Sequence, residues 1–310
     1  MTPQNRGKTG KMAATHSMAN LTSAPAWKVR LSDYYTLTKP EVNLLILMTT
    51  SAGYALASSR PFRVLGLINT LVGTLLVASG TATLNQWMER VWDGRMRRTA
   101  SRPLPSGRMP AAEALGFGLL LSLAGGLYLA ATVNLVAAGL AIATLLSYLL
   151  IYTPLKRKTP LCTLLGAFPG AMPTLIGWAG ASGRIDPQAW FLFAILFLWQ
   201  FPHFLAIALM YREDYARAGY KMLPDFDRDA RFTRAEILGL TLVLIVTTLL
   251  PVGRGGPLYG LVMLLAGAFL LYYVAKLTRS ASILLASKLV HASVIYLPVV
   301  LVAVVVAFKA

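Results

Sequence analysis

The residues of this chain with the clearest potential for chemistry lie in the segment NQWMERVWDGRMRRTASRPLPSGR, residues 85–108. Asn85, Glu89 and Asp93 are spaced by four positions, so on an α-helix they share one face. A strip of amide and carboxylate oxygens suits a hard cation such as Mg²⁺, which keeps several waters and shares its remaining positions with phosphate. A purely structural alternative is a solvated helix end whose acids pair with nearby arginines, and the strip alone leaves both readings open.

A second group of acids follows a later apolar stretch, in YREDYARAGYKMLPDFDRD, residues 211–229. Its members are Glu213, Asp214, Asp225, Asp227 and Asp229. One oxygen-rich helix end is ordinary, whereas two of them favour an organised site. Carboxylates rimmed by Arg and Lys suit a polyphosphate held through Mg²⁺, because metal and cations neutralise the charge that develops on a leaving group. An apolar bundle beside that site could hold a long hydrocarbon, so the pattern favours a prenyl diphosphate as substrate.

The elements that must position these groups are membrane-spanning helices. Apolar residues make up 56% of the 310 residues and charged residues 13%. The apolar residues form nine stretches of about twenty residues each, centred near residues 51, 74, 121, 143, 170, 200, 244, 266 and 299. Because hydrocarbon offers the backbone no hydrogen bonds, we predict an all-α polytopic membrane protein with nine transmembrane helices. LTKPEVNLLIL and KRKTPLCTLLG enter the first and fifth stretches in a similar way, which predicts two four-helix repeats followed by one helix.

The net charge of +17 is distributed as a topology signal rather than as a surface for nucleic acid. Of the 29 Lys and Arg residues, 24 fall in the N-terminal segment and the even-numbered connections. The positive-inside rule therefore predicts a cytoplasmic N-terminus, an external C-terminus and acidic clusters that face the cytoplasm. We predict a disordered tail over residues 1–30, a single transmembrane domain over residues 31–310, and no nucleic-acid partner. Cys162 is the only cysteine, which excludes a disulfide framework and a Cys-based metal site.

The segment of residues 85–108 resembles the first signature of the UbiA superfamily of intramembrane prenyltransferases, and its MRRTASRPLPSG portion is similar to the branch that farnesylates haem. Further similar segments are LTKPEVNLLILMTTSAGY, YTPLKRKTPLCTLLGAFPGAMPTLIGW, WQFPHFLAIAL and YREDYARAGYKMLP. The resemblance implies transfer of the farnesyl group of farnesyl diphosphate to a vinyl group of haem B, with addition of water, to give haem O for haem–copper oxidases. It further implies a location in the cell inner membrane, an active site at the cytoplasmic face and a downstream haem A synthase as partner.

The resemblance also implies roles for individual residues. The catalytic and Mg²⁺-binding set would be Asn85, Glu89, Asp93 and Asp214. Basic residues that would bind phosphate oxygens or haem propionates, to which the planar fork of Arg is well suited, are Arg98, Arg102, Lys156, Arg157 and Arg212. Loss of diphosphate leaves an allylic carbocation, which benefits from π faces; Tyr152 is expected to line its pocket and His203 to lie near the haem.

The chain departs from the family pattern at two positions that bear on the metal. Val91 stands where members often carry an additional acid, and Ala218 stands where the second motif often carries one. Ligation through the second motif would therefore rest on Asp214 alone or include Glu213.

Two alternative functions are open from the sequence. The first is a UbiA-type prenyltransferase with a different acceptor, against which the MRRTASRPLPSG segment argues. The second is a secondary transporter. Transporters place polar groups near the membrane midplane, whereas these acids cluster at one edge.

Overall fold

The computed structural model describes residues 25–309, and all regular elements in that range are helices, which confirms the predicted all-α class. In chain order they are α1 (Ala26–Thr38), α2 (Pro40–Ala57), α3 (Val64–Asp93), α4 (Ala111–Thr132), α5 (Leu135–Leu155), α6 (Cys162–Ser182), α7 (Ala189–Met210), α8 (Arg212–Ala218), α9 (Leu223–Phe226), α10 (Arg231–Leu249), α11 (Val252–Arg279) and α12 (Ile283–Lys309). Helix α5 includes a π-helical segment at Ser147–Tyr152.

Eight of these helices are long and apolar enough to cross a membrane, namely α3 to α7 and α10 to α12. The stretch near residue 51 forms α2, which has 18 residues and is not among the eight. Its polar side chains include Glu41 and Asn43, and the hydroxyls of Thr49, Thr50 and Ser51 donate to carbonyls of the preceding turn. The chain is therefore a multi-pass membrane protein, and the count of nine spans stays a prediction.

Most of the tail predicted for residues 1–30 lies outside the described residues. Within the described part, α1 begins at Ala26 and leaves Trp27, Leu31 and Tyr35 largely exposed. The ring of Tyr34 packs edge-on against Phe117 of α4, with the ring centroids 4.7 Å apart. The boundary between tail and membrane domain stays a prediction.

Helices α2 and α6 cross at very close range. A Cβ atom on Gly53 would lie 2.2 Å from the carbonyl oxygen of Thr174, and one on Gly177 would lie 1.9 Å from that of Thr50. Gly53 therefore faces the carbonyl of Thr174, three residues before Gly177, and Gly177 faces the carbonyl of Thr50, three residues before Gly53. Small residues at such crossings let two membrane helices approach closely. This reciprocal contact joins the first helices of the two predicted repeats.

The helices of the two halves also pack in the same order. Helix α3 packs on α4 and α4 on α5, just as α7 packs on α10 and α10 on α11. This correspondence supports the architecture of two four-helix repeats, with α12 packed against α7, α11 and α2.

One end of the bundle collects the ends of the helices that carry the acidic motifs. Helix α3 ends on this side of the bundle, the short helices α8 and α9 lie there, and helix α10 begins there. The guanidinium of Arg234 on α10 donates to the carbonyl of Thr278 on α11 over 2.7 Å, so α11 ends on the same side. We call this side of the bundle the motif end.

Candidate active site

Three polar side chains line the last turns of α3. Asn85, Glu89 and Asp93 are only 1%, 6% and 1% exposed, although they lie at the end of a long membrane helix. Their position on one continuous helix agrees with the spacing in the sequence. Buried carboxylates need partners, so the basic groups around them define the site.

Both carboxylates of this strip meet a basic side chain from another part of the chain. Lys156, which follows α5, places its Nζ 2.5 Å from Oε1 of Glu89. Arg102, in the connection after α3, donates to Oδ2 of Asp93 over 2.7 Å. Burial disfavours a charge on Lys156, but the Glu89 carboxylate and the neighbouring tyrosines together outweigh it and hold the pKa of Lys156 well above its ordinary value. Lys156 is therefore charged at neutral pH.

The amide of Asn85 is held by two further groups. Its Oδ1 accepts from Nζ of Lys39 over 3.1 Å, and its Nδ2 donates to Oγ1 of Thr153 over 3.2 Å. Lys39 joins α1 to α2 with a φ of 50°, a left-handed conformation that is uncommon for a residue with a side chain. Burial lowers the pKa of Lys39 to about 7, and the nearby cation of Arg102 adds to that shift.

Lys39 is a member of the site that the reasoning from sequence did not select. Its sequence signal was the Lys-Pro pair at the entry to α2, and proline disfavours the helical conformation for the residue before it. Strained backbone of this kind tends to occur at functional positions.

Two tyrosines flank the ammonium group of Lys156. Its Nζ lies 4.7 Å from the ring centroid of Tyr152 and 5.7 Å from that of Tyr220. Tyr152 ends the π-helical segment and packs against Tyr148, with the ring centroids 5.0 Å apart. Burial raises the pKa of Tyr220 and the nearby Glu89 carboxylate adds to the shift, so its hydroxyl stays protonated at neutral pH. Tyr220 is a second site residue that the sequence did not reveal.

The second acidic motif reaches the same site through Asp214. This residue of α8 is 8% exposed, and its Oδ2 accepts from the backbone N–H of Arg98 over 3.2 Å. Its Oδ1 forms an ion pair with Arg217, three positions along the same helix. The two motifs are therefore tied together by a hydrogen bond between the connection after α3 and the helix α8. Glu213 is exposed, so the buried acid of this motif is Asp214.

The other acids of the second cluster are at structural or exposed positions. Asp227 accepts from the backbone N–H groups of Arg231 and Thr233 over 3.1 Å and 2.8 Å, which satisfies free donors at the start of α10. Asp225 and Asp229 are exposed.

Two of the predicted basic residues stack on aromatic rings near the motifs. The guanidinium of Arg98 lies 4.8 Å from the ring centroid of Tyr211 and donates to the hydroxyl of Tyr215 over 3.3 Å. The guanidinium of Arg157 lies 3.8 Å from the ring centroid of Trp92. Both side chains are exposed, so both are accessible to an anion at the motif end.

Two other predicted site residues contact different parts of the protein. Arg212 donates to the backbone carbonyl of Arg228 over 3.0 Å, within the connection between α8 and α10. His203 shares a hydrogen bond of 2.8 Å with Ser293 of α12 and stacks on Trp199, with the ring centroids 4.7 Å apart. The proposed roles of Arg212 and His203 toward the substrates stay predictions.

Within residues 25–309, no three His, Cys, Asp or Glu side chains stand close enough together to hold a metal ion. The carboxylates of the site contact basic groups instead. This donor set nevertheless fits Mg²⁺ in complex with a diphosphate, because Mg²⁺ is usually bound through one or two carboxylates plus phosphate oxygens. The basic groups that now neutralise the acids are also suitable partners for phosphate oxygens.

A helical membrane bundle with two repeats and one acid-and-cation cluster at the motif end defines a class of membrane-embedded enzymes for polyphosphate substrates. The sequence profile described as the UbiA prenyltransferase family matches residues 46–294, and the chain belongs to that family.

Relatives agree with this assignment, and solved structures agree with the fold. A protein of Solibacter usitatus named protoheme IX farnesyltransferase is 48% identical over 87% of this chain and 96% of its own length. A protein of the same name from Koribacter versatilis is 43% identical over 86% of this chain and 90% of its own length. A UbiA homologue from Archaeoglobus fulgidus, solved with DMAPP and Mg²⁺, superposes with a TM-score of 0.64 at 16% identity and covers 88% of this chain and 99% of that chain. A chain from work on digeranylgeranylglyceryl phosphate synthase superposes with a TM-score of 0.73 at 20% identity and covers 90% of this chain and 99% of that chain.

Proposed function

We propose that this protein transfers the farnesyl group of farnesyl diphosphate to a vinyl group of haem B, with addition of water, and releases haem O and diphosphate. The observation that carries the proposal is the hydrogen bond from the backbone N–H of Arg98 to Asp214, because it joins the acid-bearing helix ends of both halves into one site. The choice of acceptor is supported by relatives at 48% and 43% identity that are named protoheme IX farnesyltransferase.

The diphosphate is proposed to bind at the motif end, among the polar strip of α3 and its basic partners. A homologous UbiA structure with DMAPP and Mg²⁺ supports a divalent cation, which Asn85, Glu89, Asp93 and Asp214 would hold and which would stabilise the negative charge of the leaving diphosphate. Around them, the cations of Arg102 and Lys156, and Lys39 in its protonated form, would compensate the same negative charge. Arg98 and Arg157 are proposed to bind phosphate oxygens or the haem propionates.

The proposed reaction consists of three changes in bonding. The bond between C1 of the farnesyl group and the diphosphate oxygen breaks, and its electron pair leaves with diphosphate. The π electrons of a haem vinyl group then form a carbon–carbon bond to the allylic cation, which leaves a cation next to the porphyrin ring. A water oxygen adds to that carbon and loses a proton to solvent, which completes the hydroxyl group of haem O.

The allylic cation needs a pocket that excludes water until the vinyl group attacks. Tyr148 and Tyr152 present a pair of aromatic rings next to Lys156, at the point where the apolar bundle meets the acidic strip. The carboxylates of the α3 strip and the π faces of these two rings would stabilise a cation there. The hydrocarbon of the substrate would extend from this point between the membrane helices.

The proposal includes a location. The resemblance to the family implies the cell inner membrane, and the distribution of Lys and Arg supports an orientation with the N-terminus and the site at the cytoplasmic face and the C-terminus outside. A tail over residues 1–30 would precede the membrane domain of residues 31–310. Haem O made at that face would then pass to a haem A synthase.

The test is a direct assay of the product. Membranes that contain the protein are incubated with farnesyl diphosphate, haem B and Mg²⁺, and haem O is measured by chromatography and mass. We expect haem O in proportion to the protein, and little competition from geranylgeranyl diphosphate. Absence of haem O would reject the proposed acceptor. Prenyl transfer to another acceptor, or solute transport in proteoliposomes without any transfer, would favour the two alternatives.

A further inference from the structure

A cleft opens at the motif end, between the last turns of α11 and the first turns of α12. Its volume is about 300 Å³, and six of its lining side chains are aromatic or basic: Phe269, Tyr272, Tyr273, Lys276, Lys288 and His291. The residues from α11 recur at three- and four-residue intervals, as do Lys288 and His291 on α12, so each set forms one face of its helix. The two faces together form the walls of the cleft.

The histidine in this cleft has the features of a metal ligand. Nδ1 of His291 lies 2.7 Å from the backbone carbonyl oxygen of Ser287, which can only accept a hydrogen bond. In a neutral imidazole the proton is therefore on Nδ1, and the lone pair is on Nε2. Metal-binding histidines in proteins commonly show this arrangement, because the second hydrogen bond fixes the tautomer and the ring. His291 is exposed, so its Nε2 is accessible to a ligand.

The charges of the cleft are complementary to an anion. Lys276 and Lys288 are exposed, and neither forms an ion pair within residues 25–309. No Asp or Glu occurs in the chain after Glu236, so α11 and α12 contribute no negative side chain. The ammonium of Lys276 lies 4.3 Å from the ring centroid of Tyr272, which places a positive charge beside an aromatic wall.

These features distinguish between two classes of anionic amphiphile. A phospholipid would use the lysines and the aromatic side chains, but it has no atom that binds the imidazole lone pair. An iron porphyrin would use all three: its metal matches Nε2, its carboxylates match the ammonium groups, and the edge of its ring can contact the aromatic side chains, which stand edge-to-face with one another.

We propose that the cleft between α11 and α12 is a docking site for iron porphyrin, separate from the acidic site on α3 and α8. His291 would ligate the iron, Lys276 and Lys288 would pair with the two carboxylates, and Phe269, Tyr272 and Tyr273 would contact the ring. The inference rests on the proposed function, in which haem is the acceptor. The cleft lies at the motif end, so it would concentrate haem at the end of the bundle where the reaction takes place.

The experiment measures binding by spectroscopy and does not depend on turnover. Purified protein in nanodiscs of phosphatidylcholine is titrated with ferric haem, and the Soret band and electron paramagnetic resonance spectra are recorded. We expect an imidazole-ligated spectrum that His291→Ala removes. The double substitution Lys276→Gln/Lys288→Gln should weaken haem binding roughly 30-fold, as expected for two lysines at a membrane surface. Arg254→Gln, which removes a cation from the other end of α11, should leave binding unchanged.

Two further measurements distinguish this proposal from the proposed function and from lipid binding. Asp93→Asn should bind haem at the cleft normally even though it makes haem O far more slowly, so a failure of the proposed function would leave the binding result intact. If wild-type protein makes haem O but its haem spectrum is the same with and without His291, the docking site is rejected. The docking site is also rejected if the lysine variants leave haem binding unchanged and, in nanodiscs that also contain phosphatidylglycerol, lose retention of that lipid, since the cleft is then a lipid site.

Discussion

In the first half of the bundle three polar side chains line the end of one unbroken helix, whereas in the second half one buried acid stands on a short helix after a break. Helix α3 runs continuously through Asn85, Glu89 and Asp93. Helix α7 ends at Met210, and Asp214 lies on the seven-residue helix α8. Yet the same halves meet through a reciprocal pair of glycines at the crossing of α2 and α6. The repeat is therefore kept in the packing and lost in the polar site.

The partners of the acids differ in the same way. Lys39, Arg102 and Lys156, which contact the strip of α3, come from three separate connections of the first half. Asp214 is held by Arg217 of its own helix and by one backbone N–H group. The first strip thus concentrates charge from distant parts of the chain, whereas the second motif mainly connects to it. We expect the first strip to contribute most of the electrostatic stabilisation of the leaving group.

The largest effect is expected for Asp93→Asn. This substitution keeps the shape of the side chain and removes the negative charge beside Arg102. We expect the rate of haem O formation to fall by about 10³-fold, the scale of losing one group aimed at developing charge. The measurement is kcat in detergent-solubilised protein, with gel filtration to verify that the variant is folded. A rate within about tenfold of wild type, well short of that scale, would contradict the assignment.

The next effect concerns the ion pair between Glu89 and Lys156, whose side chains are 8% and 10% exposed. Lys156→Met should lower the free energy of unfolding by about 3–5 kcal/mol, because it leaves a buried carboxylate without its cation. The double variant Glu89→Gln/Lys156→Met should recover much of that stability, since both charges are gone, but it should stay inactive. Thermal unfolding and the haem O assay measure the two quantities separately. Recovery of activity together with stability would show that the pair is purely structural.

A third prediction tests the symmetric part of the comparison. Gly53→Ala and Gly177→Ala should each lower the free energy of unfolding by about 1–3 kcal/mol, because the added methyl group meets backbone atoms that cannot rotate away. Gly239→Ala is the matched control, since a Cβ at that position meets nothing within 4 Å. There the substitution should stabilise α10 by roughly 0.5–1 kcal/mol. Similar changes in the unfolding temperature for all three variants would argue against the close crossing.

The sequence was sufficient to predict those parts of the structure that depend on local pattern. Apolar stretches predicted the helices, and the spacing of Asn85, Glu89 and Asp93 predicted their shared position on α3. The burial of these groups and their ion pairs could not be predicted, because Lys39 and Lys156 reach the strip through contacts between elements far apart in the chain. Tyr220 was missed for the same reason, since nothing in its local sequence shows that it packs against Lys156.

The second motif shows the limit most clearly. Five acids in residues 213–229 have similar local sequence, and only the fold distinguishes Asp214, which contacts the connection after α3, from the equally buried Asp227, which caps α10. The aromatic and basic residues of the α11–α12 cleft also carry no local signal. They occur in a stretch that otherwise has the composition of an ordinary membrane helix.

The smallest expected effect separates two neighbouring acids of α8. Asp214→Asn retains an oxygen that can accept from the backbone N–H of Arg98 but loses the charge that pairs with Arg217. We therefore expect roughly tenfold slower haem O formation, the scale of weakening one charged hydrogen bond. Glu213→Gln removes the same charge from an exposed position one residue away and should change the rate by less than about twofold, as surface substitutions usually do. If Asp214→Asn were as damaging as Asp93→Asn, both halves would contribute equally to the site, and the asymmetry inferred from their partners would be wrong.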